Sequence, residues 1–247
     1  MQSNVLIFSI AQNGYNFTYS KCIESQMLYA NKNSYDYVLV NRPRSVSSSA
    51  ESSWLKIPLI IEGLRRGYEW VFFVDADCKI HLQAPKIESI EVPGKSLYLV
   101  YGNSGRVNAG VIIAKNTADT KEFFQQVFSA AETDVPEEDR APYENGHVIH
   151  YSRGCEYMHI LDKRWNNTDD VTLNDYIRHY TGPMRQHYTK PVFSQLKVRS
   201  FRVQMKIRNQ LAKITGFYSE PHESLKHRLE TLTQFCQNEF SAFSNSH

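Results

Sequence analysis

Long hydrophobic runs are missing from this chain. No apolar stretch approaches the ~20 residues that a membrane-spanning helix needs, so the sequence offers no transmembrane segment. Cysteines are few, and Cys22, Cys78, Cys155 and Cys236 are widely scattered. That spacing forms neither a zinc motif nor a disulfide framework and points to reduced thiols in a cytoplasm. No basic region precedes Val5-Leu6-Ile7-Phe8 and no cleavage site follows it. These residues therefore read as a first strand, not a signal peptide. Without a secretory signal, the N-glycosylation patterns Asn16-Phe17-Thr18 and Asn166-Asn167-Thr168 are discounted. Internal repeats and low-complexity segments are also absent.

The net charge is only +2 over 247 residues, but it is unevenly placed. Between Arg185 and Arg228 the bases are Arg185, Lys190, Lys197, Arg199, Arg202, Lys206, Arg208, Lys213, Lys226 and Arg228, against the acids Glu220 and Glu223. A basic final third suits an anionic partner such as a membrane surface. With 41% hydrophobic and 22% charged residues, the composition is that of a soluble globular protein. The length allows one large domain, or one domain with an appendage.

Along the chain, strand and helix signals alternate. Val5 to Ile10 reads as a strand. Asn16 to Asn31 reads as a helix with Phe17, Ile23, Met27 and Ala30 inward. Tyr35 to Val40 is a second strand. Pro43 to Ser53 is Ser-rich and lacks large apolar residues, so Ser45 to Ser53 is expected to be a mobile loop that orders over a bound ligand. Trp54 to Arg66 reads as a helix, with Pro58 tolerated in its first turn. Further strands are expected at Trp70–Val74, Ser96–Tyr101 and Val107–Ala114, and a helix at Thr120–Ala131. Gly146 to Tyr151 is either helix or strand. The alternation predicts an α/β fold with a mostly parallel sheet.

The most informative stretch is Trp70-Val71-Phe72-Phe73-Val74-Asp75-Ala76-Asp77-Cys78-Lys79. Its aromatic and β-branched run reads as a buried strand, and it stops at two carboxylates. Burying an unpartnered carboxylate is costly, which puts both acids at the strand's end. In an extended backbone, side chains i and i+2 point the same way, so Asp75 and Asp77 can converge on one point. Oxygen ligands there suit Mg2+ or Mn2+, with phosphate oxygens completing the shell. The alternative is a turn with two solvated acids. In open α/β sheets, ligands bind at the carboxyl ends of strands, where this pair lies.

Other motifs follow in order: Trp54-Leu55-Lys56, Asp75-Ala76-Asp77, Asn108-Ala109-Gly110, Glu144-Asn145, Leu161-Asp162-Lys163-Arg164-Trp165-Asn166, and His179-Tyr180-Thr181-Gly182-Pro183-Met184-Arg185. From about residue 4 to residue 187 the series resembles the GT-A-fold glycosyltransferases. The nearest likeness is to retaining enzymes of the glycogenin and lipopolysaccharide galactosyltransferase type, and to the galactosyl/xylosyltransferases of fungal and plant walls. The resemblance implies a GT-A, Rossmann-like mixed sheet flanked by helices over residues 1–190, with residues 191–247 a basic helical extension.

It also implies a nucleoside-diphosphate hexose donor, UDP-linked, a glycan or glycolipid acceptor, and a role in polysaccharide or lipopolysaccharide biosynthesis. By resemblance, Asp75, Asp77 and His179 hold Mn2+ (or Mg2+), and Asp75 also touches the donor. Imidazole is a better ligand for Mn2+ than for Mg2+. Gly182 lets the backbone approach the phosphates. Lys56 contacts phosphate or sugar, and Asn108 the donor sugar. Glu144 and Asn145 lie near the reacting carbon, and Asn166 follows the tryptophan segment. Ala11, Gln12, Asn13 and Tyr15 sit where the base binds, with Tyr15 stacking on uracil. The family continues to Lys-Pro-Trp where this chain has Arg185-Gln186-His187, so Arg185 replaces the lysine as phosphate clamp.

Retention follows from the resemblance alone. An inverting enzyme needs a base, for which Glu144, Asp162, Asp169 and Asp170 are candidates. Three other readings compete. A sugar-nucleotide-forming nucleotidyltransferase would want a Gly-rich basic loop after the first strand, which Ala11-Gln12-Asn13-Gly14 lacks. A haloacid-dehalogenase-type phosphatase would carry its acids on the first strand. A sugar-binding relative without catalysis would not need the acid pair and His179. Finally, Phe193, Leu196, Val203, Ile207, Leu211 and Ile214 fall on one stripe of an amphipathic helix from Pro191 to Ile214. Either the stripe packs on the domain, or the helix contacts anionic lipid at the cytoplasmic face.

Overall fold

The computed structural model describes residues 3–46, 48–214 and 223–244. Glu220 lies outside them, as do Ser47 and the side chains of Arg208, Leu211, Lys213 and Ile214. The chain begins with β1 (Val5–Ile10), the short helix α1 (Tyr15–Thr18), α2 (Ser20–Asn33) and β2 (Asp36–Val40). Next come α3 (Ser49–Trp54), α4 (Lys56–Arg65), β3 (Trp70–Val74) and β4 (Cys78–Ile80). They are followed by β5 (Leu97–Leu99), β6 (Val111–Lys115), α5 (Ala118–Ser129) and α6 (Asn145–Ser152). The described chain ends with β7 (Met158–Ile160), β8 (Ile177–His179), α7 (Val192–Ile214) and α8 (Leu225–Glu239).

Six strands form one mixed sheet in the order β2-β1-β3-β6-β5-β7. β1 pairs parallel with β2 and β3, and β5 pairs parallel with β7. β6 runs antiparallel to β3 and β5. The unbroken apolar run of β3 is buried on both faces, because alternate side chains enter different cores. Val71 and Phe73 join Leu6, Phe8, Ile112 and residues of α4 and α5. Trp70, Phe72 and Val74 join Val5, Ile7, Val111, Ile113 and Tyr29 of α2. A separate antiparallel ribbon pairs β4 with β8 and sets Cys78 opposite His179. That register carries a histidine distant in sequence to the end of β3.

Several expected elements differ. The first helix breaks at Tyr19, and α2 buries Cys22, Gln26, Tyr29 and Ala30. Met27 is exposed, and Phe17 and Ile23 are half-buried. A polar residue lies on the inner face because Gln26 Nε2 donates to the carbonyls of Asp75 and Cys78, 2.9 and 2.8 Å away. The Ser-rich stretch is not all loop: Ser48 accepts from the Glu51 N–H and caps α3, as serine does at a helix start. The strand expected from Val107 starts only at Val111. Val107 makes an isolated bridge to Tyr101, and Asn108-Ala109-Gly110 is a turn. Residues 146–151 are helical.

In α7, the described part of the apolar stripe faces outward rather than packing on the domain. Val192, Phe193, Leu196, Val203 and Ile207 are exposed, while Phe201, on the opposite side, is buried against Gly14 and Phe17. α8 packs behind α3 and α4 with Leu229 and Cys236 in the core, and Phe243, in the turn after it, stacks edge-on to Phe8.

Candidate active site

A cleft of about 570 Å3 opens at the carboxyl ends of β1 and β3. This is a volume typical of small-ligand sites. One wall carries Gln12, Asn13 and Tyr15 after β1, with Ser49, Ser52 and Ser53 of α3. The floor is Asp75, Ala76, Asp77 and Asn108-Ala109-Gly110. The far side is Tyr143, Glu144, Asn145, His179, Thr181 and Arg185.

Asp75, Asp77 and His179 meet where the floor joins the far side. His179 Nε2 lies 3.1 Å from Asp77 Oδ1 and 3.7 Å from Asp75 Oδ2. Gly110 makes this approach possible. A Cβ there would sit 2.3 Å from His179 Cε1 and 2.8 Å from Asp75 Oδ2. The other ring nitrogen, Nδ1, is 3.0 Å from Asn166 Oδ1. Two carboxylates and an imidazole facing one point are a donor set suited to Mn2+. Ligand atoms of Asp77, Cys78 and His179 lie within 4.8 Å of one another. Cys78 is nevertheless a poor third ligand, since burial and the nearby acids push its thiol well up and a metal takes the thiolate.

A buried ion pair stands beside the acids. Lys56 Nζ lies 2.7 Å from Glu144 Oε1, 3.2 Å from the Ala109 carbonyl and 3.4 Å from Asp75 Oδ1. Its ammonium also stands over the Phe73 ring. The three N–H bonds thus have protein acceptors, and a phosphate contact at Lys56 would displace one of them. Burial pulls the Lys56 pKa down, but the charges of Asp75 and Glu144 outweigh it and hold it raised. Burial raises Glu144 against the pull of Lys56. Depth in the protein raises Asp75, with Lys56 opposing and Asp77 adding. Burial also works against ionised Asp77, but the charge and hydrogen bond of His179 hold its pKa down. His179 is raised in turn: burial lowers it, and Asp77 more than compensates.

The residues singled out in the sequence divide clearly. Tyr15, Lys56, Asp75, Asp77, Asn108, Glu144, Asn145, His179 and Arg185 all line the cleft. Ala11 and Gly182 do not. Ala11 is buried with its N–H on the Val40 carbonyl, and its neighbours Ile10 and Gln12 face the cleft instead. Gly182 occupies a left-handed turn, φ +46°, nearest Asn103, while Thr181 and Arg185 on either side reach the cleft. Asp162 caps a 3-10 turn and pairs with Arg164, away from the cleft. Asp169 pairs with Lys163, and Asp170 accepts from Thr172.

Sequence reasoning missed Gln26 and Tyr143, and it placed the cleft serines Ser49, Ser52 and Ser53 on a mobile loop where they stand on α3. Nothing in the sequence marks Tyr143, which takes a left-handed φ of +56°.

No family model and no curated protein matches the sequence. The likeness lies in structure. A glycosyltransferase involved in the glycosylation of the major capsid of PBCV-1 superposes with a TM-score of 0.56 at 18% identity, over 74% of this chain and 95% of its own. The fold is that of the GT-A glycosyltransferases. The apo-form glycosyltransferase GlyE of Streptococcus pneumoniae TIGR4 shares it with a TM-score of 0.50 at 12% identity, over 83% of this chain and 64% of GlyE. In this GT-A fold the antiparallel β6 lies beside β3, so the Asn108–Gly110 turn and the acid pair share one floor. Among the described residues no helix is long and apolar enough to cross a membrane.

Proposed function

We propose that this chain is a glycosyltransferase. It moves a hexosyl group from a nucleoside-diphosphate sugar, UDP-linked, to a glycan or glycolipid acceptor, with retention and with Mn2+ (or Mg2+) bound. The observation that carries the reading is the meeting of Asp75, Asp77 and His179 beside the buried Lys56–Glu144 pair in one cleft. Asp75, Asp77 and His179 would hold the cation, which when bound neutralises charge on the departing diphosphate.

The chain's own groups supply the rest. Arg185 offers a planar guanidinium to phosphate oxygens. Tyr15, half exposed on the cleft wall, offers a ring to the base. Asn108 Oδ1 already accepts from Gly110 N–H and from Asn166 Nδ2, at 3.0 Å each. It therefore turns only N–H donors toward sugar hydroxyls. Glu144 Oε1 is held by Lys56, and its Oε2 is buried with no hydrogen-bond partner. That oxygen is the one available to oppose positive charge developing at the anomeric carbon. With Asp162, Asp169 and Asp170 turned away, Glu144 is the carboxylate beside the reacting centre other than the proposed metal ligands. Its tie to Lys56 suits charge stabilisation better than proton abstraction, which favours retention.

The basic helix α7 would bring the cleft to a lipid surface on the cytoplasmic side. Incubating the protein with a panel of nucleotide sugars tests the reading. Mn2+-dependent release of nucleoside diphosphate, abolished by EDTA, is the expected result. Release from no donor, or full release in EDTA, rejects it.

A further inference from the structure

Four groups form a directed chain behind the acid pair. The backbone N–H of Gly110 can only donate, and it meets Asn108 Oδ1 at 3.0 Å. This fixes the orientation of the Asn108 amide, with its oxygen toward Gly110. The same oxygen meets the Asn166 amide at 3.0 Å, so Asn166 must present its Nδ2 there. Asn166 Oδ1 then faces His179 Nδ1 at 3.0 Å. An amide oxygen only accepts, so Nδ1 carries a proton. In the neutral ring the lone pair is then on Nε2, which points at Asp77 and Asp75. All of this is enclosed: Asn166 is fully buried and His179 nearly so.

We propose that Asn166 is a positioning residue that fixes the tautomer of His179, and that the Gly110 backbone sets its polarity through Asn108. The alternative tautomer has an evident attraction. Nε2–H would donate to Asp77 Oδ1, and no lone pair would remain for a cation. Two carboxylates favour that form, and the amide chain opposes it. A histidine whose ligating nitrogen is selected by a bond at its other nitrogen is a general device of metal sites. Here the selecting group is a neutral amide, anchored to the glycine that makes room for the ring. The proposal rests on the reading of His179 as a ligand.

The test uses the whole protein without any sugar donor. Histidine-selective 15N NMR at a pH where the ring is neutral reads the tautomer, with His179→Gln assigning the signal. Free-ion EPR reads Mn2+ affinity. Wild-type His179 is expected to carry its proton on Nδ1. Asn166→Ala is expected to move it to Nε2 and weaken Mn2+ binding by about 10–100-fold. Asn166→Asp keeps an acceptor against Nδ1 and is expected to keep the wild-type tautomer. A wild-type proton on Nε2 overturns the proposal, as does Mn2+ affinity in Asn166→Ala within twofold of wild type. If Asn166→Ala does not fold, the wild-type and Asn166→Asp spectra decide. A wild-type protein that binds Mn2+ but fails this test leaves the transferase reading standing. A wild-type protein that binds no Mn2+ overturns the reading of His179 as a ligand and this proposal with it, while nucleoside-diphosphate release from a sugar donor tests the transferase reading separately.

Discussion

Lys56 sits between carboxylates that would otherwise repel each other. Removing one partner of a buried pair strands the others, and typically costs about 3–5 kcal/mol. Lys56→Met is therefore expected to destabilise the fold by about that amount in urea titrations. The double variant Lys56→Met/Glu144→Gln should recover part of the loss, because one stranded charge is gone. Equal stabilities for the single and double variants would show that Glu144 is not the partner that matters.

Asp77 is a different case. It lies just past a strand end, on the cleft floor, with His179 as its partner. Asp77→Ala should abolish nucleoside-diphosphate release while leaving the circular dichroism of the protein close to wild type. Undiminished turnover by that variant would remove the acid pair from the mechanism.

At this scale the sequence spoke plainly about Asp75 and Asp77, because the step from an apolar strand to paired acids is local. It was silent on the three protein acceptors around Lys56. They come from the residue after β3, the turn after Asn108 and the residue before α6, and no short-range pattern encodes that meeting.

Among the elements, β3 was readable because burial on both faces leaves a continuous apolar run. The division into α3 and α4 was not, because its signal was a serine cap inside a stretch that composition alone reads as loop. The stripe on α7 was legible as periodicity, but periodicity does not say which way a stripe faces. Val192, Leu196, Val203 and Ile207 share one side of the helix and face solvent, flanked by Arg199 and Lys206. An outward apolar strip edged with bases is the pattern of an interfacial helix.

Each base near an anionic bilayer contributes about 1 kcal/mol. Reversing Arg199, Arg202 and Lys206 to Glu should therefore abolish co-sedimentation with phosphatidylserine vesicles, and raised salt should weaken binding of the parent protein. Equal binding to neutral and anionic vesicles would rule the electrostatic contact out.

For the molecule as a whole, acid stability has a specific contributor outside the cleft. Asp175 is buried, and burial disfavours its charge. Hydrogen bonds from Asn167 and Arg178, with the His81 ring 3.1 Å away, nevertheless hold its pKa below the usual carboxylate range. A depressed folded-state pKa gives stability that is complete above the unfolded value of about 3.9 and is lost as pH falls through the folded value. Asp175→Asn should thus lower stability at neutral pH and flatten the acid limb of a stability–pH curve. An acid limb as steep as that of the parent protein would assign acid unfolding to other groups.

Arg228 of α8 meets Glu51 of α3 at 3.0 Å, and α3 carries the cleft serines Ser49, Ser52 and Ser53. The front of the ligand site is therefore braced by residues made some 180 positions later in synthesis. While a nascent chain still holds residues 225–243 in the ribosomal tunnel, Phe8 lacks Phe243 and Glu51 lacks its arginine. The sheet can assemble first, since β1, β2 and β3 are near in sequence, but its front wall must wait for translation to advance. Nucleotide binding should thus emerge late in biosynthesis, after the secondary structure does, and a chain arrested before residue 225 would be a folded sheet with an unfinished door.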